Sequence, residues 1–195
     1  MPMRISGGAL APCVRTLEPT RCGSALRAEL GEGRVLVLAA SAADRAAAGA
    51  GVGRPVTSRS RTTGCHAAVF AAGGRIGLDV ETSARVAANA TVADPWLAPA
   101  EREAVLASPD PLVELTCRWV LKEAYGKALG RGLDLPLDDI AFNGRGGGIV
   151  LEAAGATPDW DFALYRHGAH VCAVAGHPMP FAPAGRNPPG PAFVR

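Results

Sequence analysis

The chain has 195 residues, 48% of them hydrophobic and 19% charged, with a formal net charge of +2. That is a folded globular composition with room for a sizeable core; it excludes a disordered chain and gives no case for a nucleic-acid partner. No apolar run is long enough to span a bilayer, so no membrane partner is expected, and Met1 to Ala11 makes a poor signal peptide. Cys13, Cys22, Cys65, Cys117 and Cys172 are scattered and never form C-x-x-C, which argues against a disulfide framework or a zinc site and for a reducing, cytoplasmic setting.

In chain order, residues 1–33 are rich in Gly, Pro, Ala and Arg and weakly periodic, so an irregular or poorly ordered segment is expected. Arg34 to Ala40 reads as a buried strand. Ser41 suits the N-cap of a helix over Ala42 to Ala48, with Asp44 in its first turn, and Gly49 to Gly53 ends it. Thr57 to Gly64 is polar and basic, with Arg59 and Arg61, and reads as a loop. Cys65 to Ala71 and Arg75 to Val80 read as a hairpin turning at Gly73-Gly74, which sets Cys65-His66 beside Asp79 and Glu81. Arg85 to Ala93 is irregular or short helix. Ala98-Pro99 opens a helix that runs to Ala107, and Ser108-Pro109-Asp110-Pro111 breaks it.

Leu112 to Leu129 is the longest predicted helix, stopped by Gly130 and Gly132. Leu133 to Asp139 is a connection and Ile140 to Asn143 a short strand. Gly144 to Gly148 reads as a hairpin loop rather than a phosphate cradle, because no helix follows it; Ile149 to Ala153 is its return strand. Trp160 to Tyr165 and His170 to Ala175 form a second hairpin, and His167-x-x-His170 across its turn reads as structural. The proline-rich stretch 177–195 is expected to be disordered. The order of elements is that of an α+β protein.

Two stretches carry the chemistry. In Gly77-Leu78-Asp79-Val80-Glu81 the two carboxylates leave one face of a strand and repel each other, so they call for a cation. Alone, the pair is equally an exposed strand edge. On the long helix, Trp119, Glu123 and Lys127 lie four apart along one side, a pattern that alone reads more often as a surface ion pair. With Asp79 and Glu81, Glu123 would complete a hard oxygen set of the kind Mg²⁺ accepts. Lys122 points about 100° away from Glu123 and either pairs with an acid, meets a partner or is solvated.

G-x-D-x-E followed by W-x-x-K-E-A-x-x-K-x-x-G resembles the 4′-phosphopantetheinyl transferases, specifically the larger, surfactin-synthetase-activating type. Gly53-Arg54-Pro55 resembles that family's G-[KR]-P segment, Cys65-His66 its Ser-His, and Trp96, Glu101 and Glu103 its aromatic-then-acid segment, in order from about Gly53 to Gly176. The resemblance implies two similar α/β halves with pseudo-twofold symmetry, each a small antiparallel sheet packed on a long helix, over residues 34–95 and 96–176. It implies a monomer that moves the 4′-phosphopantetheine arm of coenzyme A to a serine of an apo acyl or peptidyl carrier protein, releasing adenosine 3′,5′-bisphosphate.

By the same resemblance Asp79, Glu81 and Glu123 hold Mg²⁺, Glu123 and Lys127 serve catalysis, and Lys127 reaches a phosphate oxygen. Arg54, Cys65 and His66 attend the 3′-phosphate of coenzyme A, though a histidine in a sheet is otherwise an ordinary structural residue. The sequence departs from the family pattern at Thr63, Cys65 and Ala67, where hydroxyl or amide donors are replaced. Those departures favour a second reading, a non-catalytic relative that binds carrier protein or nucleotide. A Mg²⁺-dependent phosphohydrolase would share the acids but does not call for the helix motif.

Overall fold

The computed structural model describes residues 8–17, 19–31, 33–89, 94–132, 134–153 and 159–177. The expected tail at 177–195 therefore lies, beyond His177, outside the described residues. The strands are β1 (Val14–Thr16), β2 (Thr20–Cys22), β3 (Ala25–Gly31), β4 (Arg34–Ala39), β5 (Val56–Thr62), β6 (Cys65–Phe70), β7 (Arg75–Thr82), β8 (Ala141–Arg145), β9 (Gly148–Glu152), β10 (Asp161–His167) and β11 (His170–His177). The α-helices are α1 (Ala42–Ala50), α2 (Ser83–Ala88), α3 (Pro99–Ala107) and α4 (Pro111–Leu129). No helix among the described residues is long and apolar enough to cross a membrane.

The strands form one sheet in the order β2-β3-β4-β6-β5, a second in the order β1-β10-β11-β7, and the hairpin β8-β9. Side chains alternate across each strand and so sort the core into layers. Ala68 and Phe70 on one face of β6 join Val35, Val37 and Ala48 beneath α1. Cys65, Ala67 and Val69 on the other face meet Leu78, Val80, Cys172 and Val174 of the second sheet. The far face of that second sheet, with Ala173 and Ala175, packs on Val120, Leu121 and Ala124 of α4. The layers are thus helix, sheet, sheet, helix, a mixed α and β architecture.

Several expectations give way here. Thr57 to Gly64 is not a loop: Val56–Thr62 is a strand. β6 and β7 do not form a hairpin; β6 pairs with β4 and β5, whereas β7 pairs with β11, so the chain crosses between sheets at the Gly73-Gly74 turn. Within the stretch expected to be irregular, Val14–Thr16, Thr20–Cys22 and Ala25–Gly31 are strands. The two sheets are also unlike. The first carries a helix of nine residues against nineteen for α4, and the second takes β1 in parallel beside β10. Sheet membership changes between Phe70 and Arg75.

The long helix obeys its sequence. The Asp110 carboxylate accepts from the Val113 amide at 3.1 Å, Pro111 opens the first turn, and Gly130 ends the helix at φ +70°, a conformation open to glycine. Gly77 lets α4 lie against β7: a Cβ there would stand 1.8 Å from the Ala124 carbonyl oxygen.

One face of α4 holds buried charge. Glu101, Glu114, Arg118 and Lys122 are all fully buried. Arg118 bonds Glu114 at 2.6 Å and Glu101 at 3.3 Å, and Lys122 bonds Glu101 at 2.7 Å. Lys122 also donates to the Leu137 and Ile140 carbonyls, and Arg118 to the Phe142 carbonyl at 2.7 Å. Of the three roles open to Lys122, pairing with an acid is the one it fills, and Glu101 is structural. Burial pulls the Lys122 ammonium below its usual range, and the Glu101 carboxylate opposes that shift.

Removing one partner of a buried ion pair leaves an uncompensated charge, at a cost of about 3–5 kcal/mol. Lys122→Ala should therefore lower the unfolding free energy by that order in urea titration. Arg145→Ala, at an exposed pair 4.0 Å from Glu152, should cost under about 1 kcal/mol.

Candidate active site

The open edge of β7 is where the candidate residues gather. Ile76, Leu78 and Val80 turn into the core between the sheets, so Gly77, Asp79 and Glu81 face α4. β5 runs alongside β7 and offers a hydroxyl at every second residue. Ser58 accepts from the Leu78 amide at 3.0 Å, Ser60 donates to Asp79 Oδ1 at 2.7 Å, and Thr62 donates to Glu81 Oε2 at 2.8 Å. The helix adds Lys127, whose ammonium is 2.7 Å from Asp79 Oδ1 and 3.4 Å from Ser60 Oγ. Arg85, in α2, approaches Glu81 Oε1 at 3.2 Å.

Glu123 stands on α4 one turn before Lys127 and makes no hydrogen bond or ion pair among the described residues. All three carboxyls sit above their ordinary range. Burial is the main cause for each. For Glu123 the Asp79 charge adds to it and Lys127 opposes it; for Asp79 it is Lys127 that opposes. A half-buried carboxylate without a partner beside two others is poised to take a proton or a cation.

As a set, these three acids have the charge and hard oxygens that a divalent ion needs. Among the described residues, however, no three His, Cys, Asp or Glu side chains converge on a ready-made metal position. Asp79 and Glu81 are engaged by Lys127, Ser60, Thr62 and Arg85, so cation binding requires those contacts to rearrange.

A cleft of about 600 Å³ opens beside Glu81, walled by Val86, Trp96, Trp119, Leu135 and Leu137. Trp96 and Trp119 meet edge to face with centroids 5.1 Å apart. Trp119, Glu123 and Lys127 thus line one side of α4 along the cleft and the acid cluster, as their spacing implies.

The nucleotide residues are placed less as expected. His66 shares the α1 side of the first sheet with Ala68 and Phe70, whereas Cys65 faces the interior with Ala67. Cys65 is 4% exposed, and burial raises its thiol to about 11. Neighbouring residues of a strand point to opposite faces, so the two side chains do not converge. They nevertheless sit at the Glu81 end of the site, because Thr62, which bonds Glu81, pairs with Cys65. Arg54 lies at the other end of the sheet, its guanidinium about 3.5 Å from where a Cβ on Gly33 would stand. The structure does not bring it to His66.

Ser58, Ser60, Thr62 and Arg85 escaped the sequence reading as site residues. The signal for the first three was present in V-T-S-R-S-R-T, where hydroxyl and basic side chains alternate with period two. From Ser58 on it is a strand pattern written without apolar residues.

A strand bearing two acids, edged by hydroxyls and faced by a helical glutamate and lysine, defines a site whose surplus of carboxylate suits a cation. The family model of the 4′-phosphopantetheinyl transferase superfamily matches residues 75–175, just over half of the chain, and the chain belongs to that superfamily. The matched span holds β7, α4 and all but the last two residues of the hairpin β10–β11. A search of curated proteins found no match.

Among solved structures, the holo-[acyl-carrier-protein] synthase of Helicobacter pylori in complex with coenzyme A is 18% identical to this chain, with a TM-score of 0.46, over 53% of this chain and 99% of its own. That of Neisseria meningitidis is 20% identical, with a TM-score of 0.48, over 54% and 98%. That of Thermotoga maritima is 28% identical, with a TM-score of 0.45, over 52% and 61%.

The raised carboxyls give a signed pH dependence. A carboxyl whose folded pKa is raised disfavours the folded state above that pKa, and the loss is recovered as pH falls through it. In metal-free protein, Glu123→Gln should therefore raise the melting temperature at pH 7–8. The gain over wild type should shrink as the pH is lowered into the raised carboxylate range. Calorimetric melts across that range check it.

Proposed function

We propose that the chain transfers the 4′-phosphopantetheine arm of coenzyme A to a serine of an apo acyl or peptidyl carrier protein. The observation that carries this is the meeting of Asp79, Glu81, Glu123 and Lys127 at one strand edge, inside the span that matches the superfamily. The serine oxygen attacks the β-phosphorus, the bond from that phosphorus to the bridging oxygen breaks, and adenosine 3′,5′-bisphosphate leaves. Glu123, unpaired and with its carboxyl held above the ordinary range, takes the serine proton. Lys127 leaves Asp79 and meets a phosphate oxygen, where a compact ammonium offsets developing charge. Asp79, Glu81 and Glu123 are the residues that would hold Mg²⁺. When bound, the ion would neutralise the diphosphate and polarise it toward attack.

The apolar cleft beside Glu81 takes the pantetheine arm, with Trp96 and Trp119 against its methyl groups. The larger, two-part type of transferase suits this chain because the strands between Thr20 and Phe70 build a further five-stranded sheet, ahead of the matched span, that supplies Ser58, Ser60 and Thr62. The enzyme works as a soluble, cytoplasmic monomer.

Incubation with coenzyme A, Mg²⁺ and a panel of apo carrier proteins, read by intact mass, tests the activity. Addition of the phosphopantetheine mass to a carrier is the expected result, and binding of carrier without any addition would favour the non-catalytic reading. Asp79→Ala, Glu81→Ala and Glu123→Ala should each abolish modification in folded protein. Lys127→Arg should recover little of the activity lost in Lys127→Ala, since a planar fork needs more room than an ammonium.

A further inference from the structure

Glu81 is held differently at its two oxygens. Oε2 accepts from the Thr62 hydroxyl at 2.8 Å and from the Thr82 amide at 3.3 Å. Oε1 meets the guanidinium of Arg85, whose Nε stands 3.2 Å away. The two holds differ in stiffness. Thr62 is buried and carries its hydroxyl on a short, β-branched side chain of β5, where its backbone pairs with Cys65. Arg85 reaches Glu81 from α2 on a long side chain that is 57% exposed. Water replaces an exposed ion pair at little cost, whereas a buried carboxylate oxygen that loses its donor is left unsatisfied. The Thr82 hydroxyl accepts from the Arg85 amide at 3.3 Å, so α2 starts directly after the acid strand and keeps Arg85 within reach of Glu81.

We propose that Thr62 is a positioning residue, fixing Glu81 through Oε2 so that Oε1 is the oxygen offered to a divalent cation, and that Arg85 is an internal counter-ion which that cation displaces. The inference rests on the assignment of Asp79, Glu81 and Glu123 to a cation in the proposed function. A carboxylate whose other oxygen is already hydrogen-bonded keeps its orientation when an ion arrives, and an outer partner of this kind stays in place. Arg85 cannot stay in the same way, because its charge competes with the ion for one oxygen. Lys127 stands to Asp79 as Arg85 stands to Glu81: it shares Oδ1 with Ser60, which donates there at 2.7 Å. Lys127 and Arg85 together offset the charge of Asp79 and Glu81, and one divalent ion carries the charge of the two side chains it replaces. The exchange therefore leaves no uncompensated charge on the acid strand in either state. The hydroxyls of β5 are the part of the site that does not move, and the two cationic side chains are the part that does.

The test uses the full chain and Mn²⁺, a hard ion that carboxylates accept as they accept Mg²⁺, with the free ion read by electron paramagnetic resonance. Thr62→Val keeps the shape and strand preference of threonine and removes the hydroxyl, whereas Thr62→Ser keeps the hydroxyl. Thr62→Val should weaken Mn²⁺ binding by about ten- to a hundredfold, and Thr62→Ser should stay within about threefold of wild type. Arg85→Gln should tighten Mn²⁺ by about two- to fivefold, the range of an exposed ion pair. Arg145→Gln, the same charge change at an exposed pair elsewhere, should leave the affinity unchanged. Thermal melts of the metal-free variants check folding. A merely structural threonine would lower the melting temperature of Thr62→Val and leave its Mn²⁺ affinity alone, and that result would overturn the inference. So would a serine variant as weak as the valine one, an Arg85→Gln variant no tighter than wild type, or an equal gain in Arg145→Gln. In each of these cases Mn²⁺ binding and carrier modification by wild type would still stand. A wild type that does not bind Mn²⁺ would instead remove the cation from the proposed function and overturn this inference with it.

Discussion

Four buried charges fix the rotation of α4, and the site depends on that rotation. Glu114, Arg118 and Lys122 are spaced four apart, as are Trp119, Glu123 and Lys127, and the two ladders are offset by one residue. The first is sealed against Glu101, the Leu10 and Ala11 amides and the carbonyls of Leu137, Ile140 and Phe142. Two acids and two bases cancel, which is the condition for placing ions away from water. Apolar packing could slide by a fraction of a turn at little cost, but a directional set of this kind cannot. With the first ladder locked, the second is held about 100° away, facing the acid strand.

The seam between the sheets uses side chains where a backbone ladder would be expected. Ser58 takes the Leu78 amide, which would otherwise be an unpaired group on the edge of β7. Ser60 and Thr62 each spend a hydroxyl on a carboxylate. This joins the sheets and still leaves room at the β7 edge. A continuous backbone ladder would have closed it, and the acids would have had only the helix as a neighbour. The same alternation that aims hydroxyls inward puts Arg59 and Arg61 outward, so one strand provides both the lining of the acid site and a basic margin.

Local sequence was a good guide wherever the determinant was local. The Asp110 cap, Pro111 and Gly130 bound the long helix, and the hairpin through His167-Gly168 stands as the alternation around it implies. The acid strand and the helical motif also meet, through Lys127 and Asp79, as the family resemblance implies. What failed was choice of partner. Gly73-Gly74 looks like a hairpin turn, but β7 finds β11 almost a hundred residues on, and nothing near the turn records that preference. β5 reads as a loop because, past Val56, its pattern has no apolar member. Sequence alone leaves Lys122 open because an ammonium is seldom fully buried; the acid that accepts it lies in another helix, and its carbonyl partners belong to the connection after α4. Arg54 matched a motif by type and order, which says nothing about the end of the sheet it reaches.

The parallel pairing of β1 with β10 has a bearing on how the molecule is made. Val14 sits opposite Leu164, so one edge of the second sheet joins segments about 150 residues apart. During synthesis, β1 leaves the ribosome long before its partner exists, and loop closure over that distance is slow. The Glu114 carboxylate offers an interim mooring, since it accepts the Leu10 and Ala11 amides at 2.9 Å and belongs to a helix completed earlier than β10. The leading segment can wait there, next to its final position, until the last hairpin emerges. A nascent chain arrested before residue 161 would keep that mooring and lack the strand it serves, leaving β1 as an exposed edge of the kind that chaperones hold.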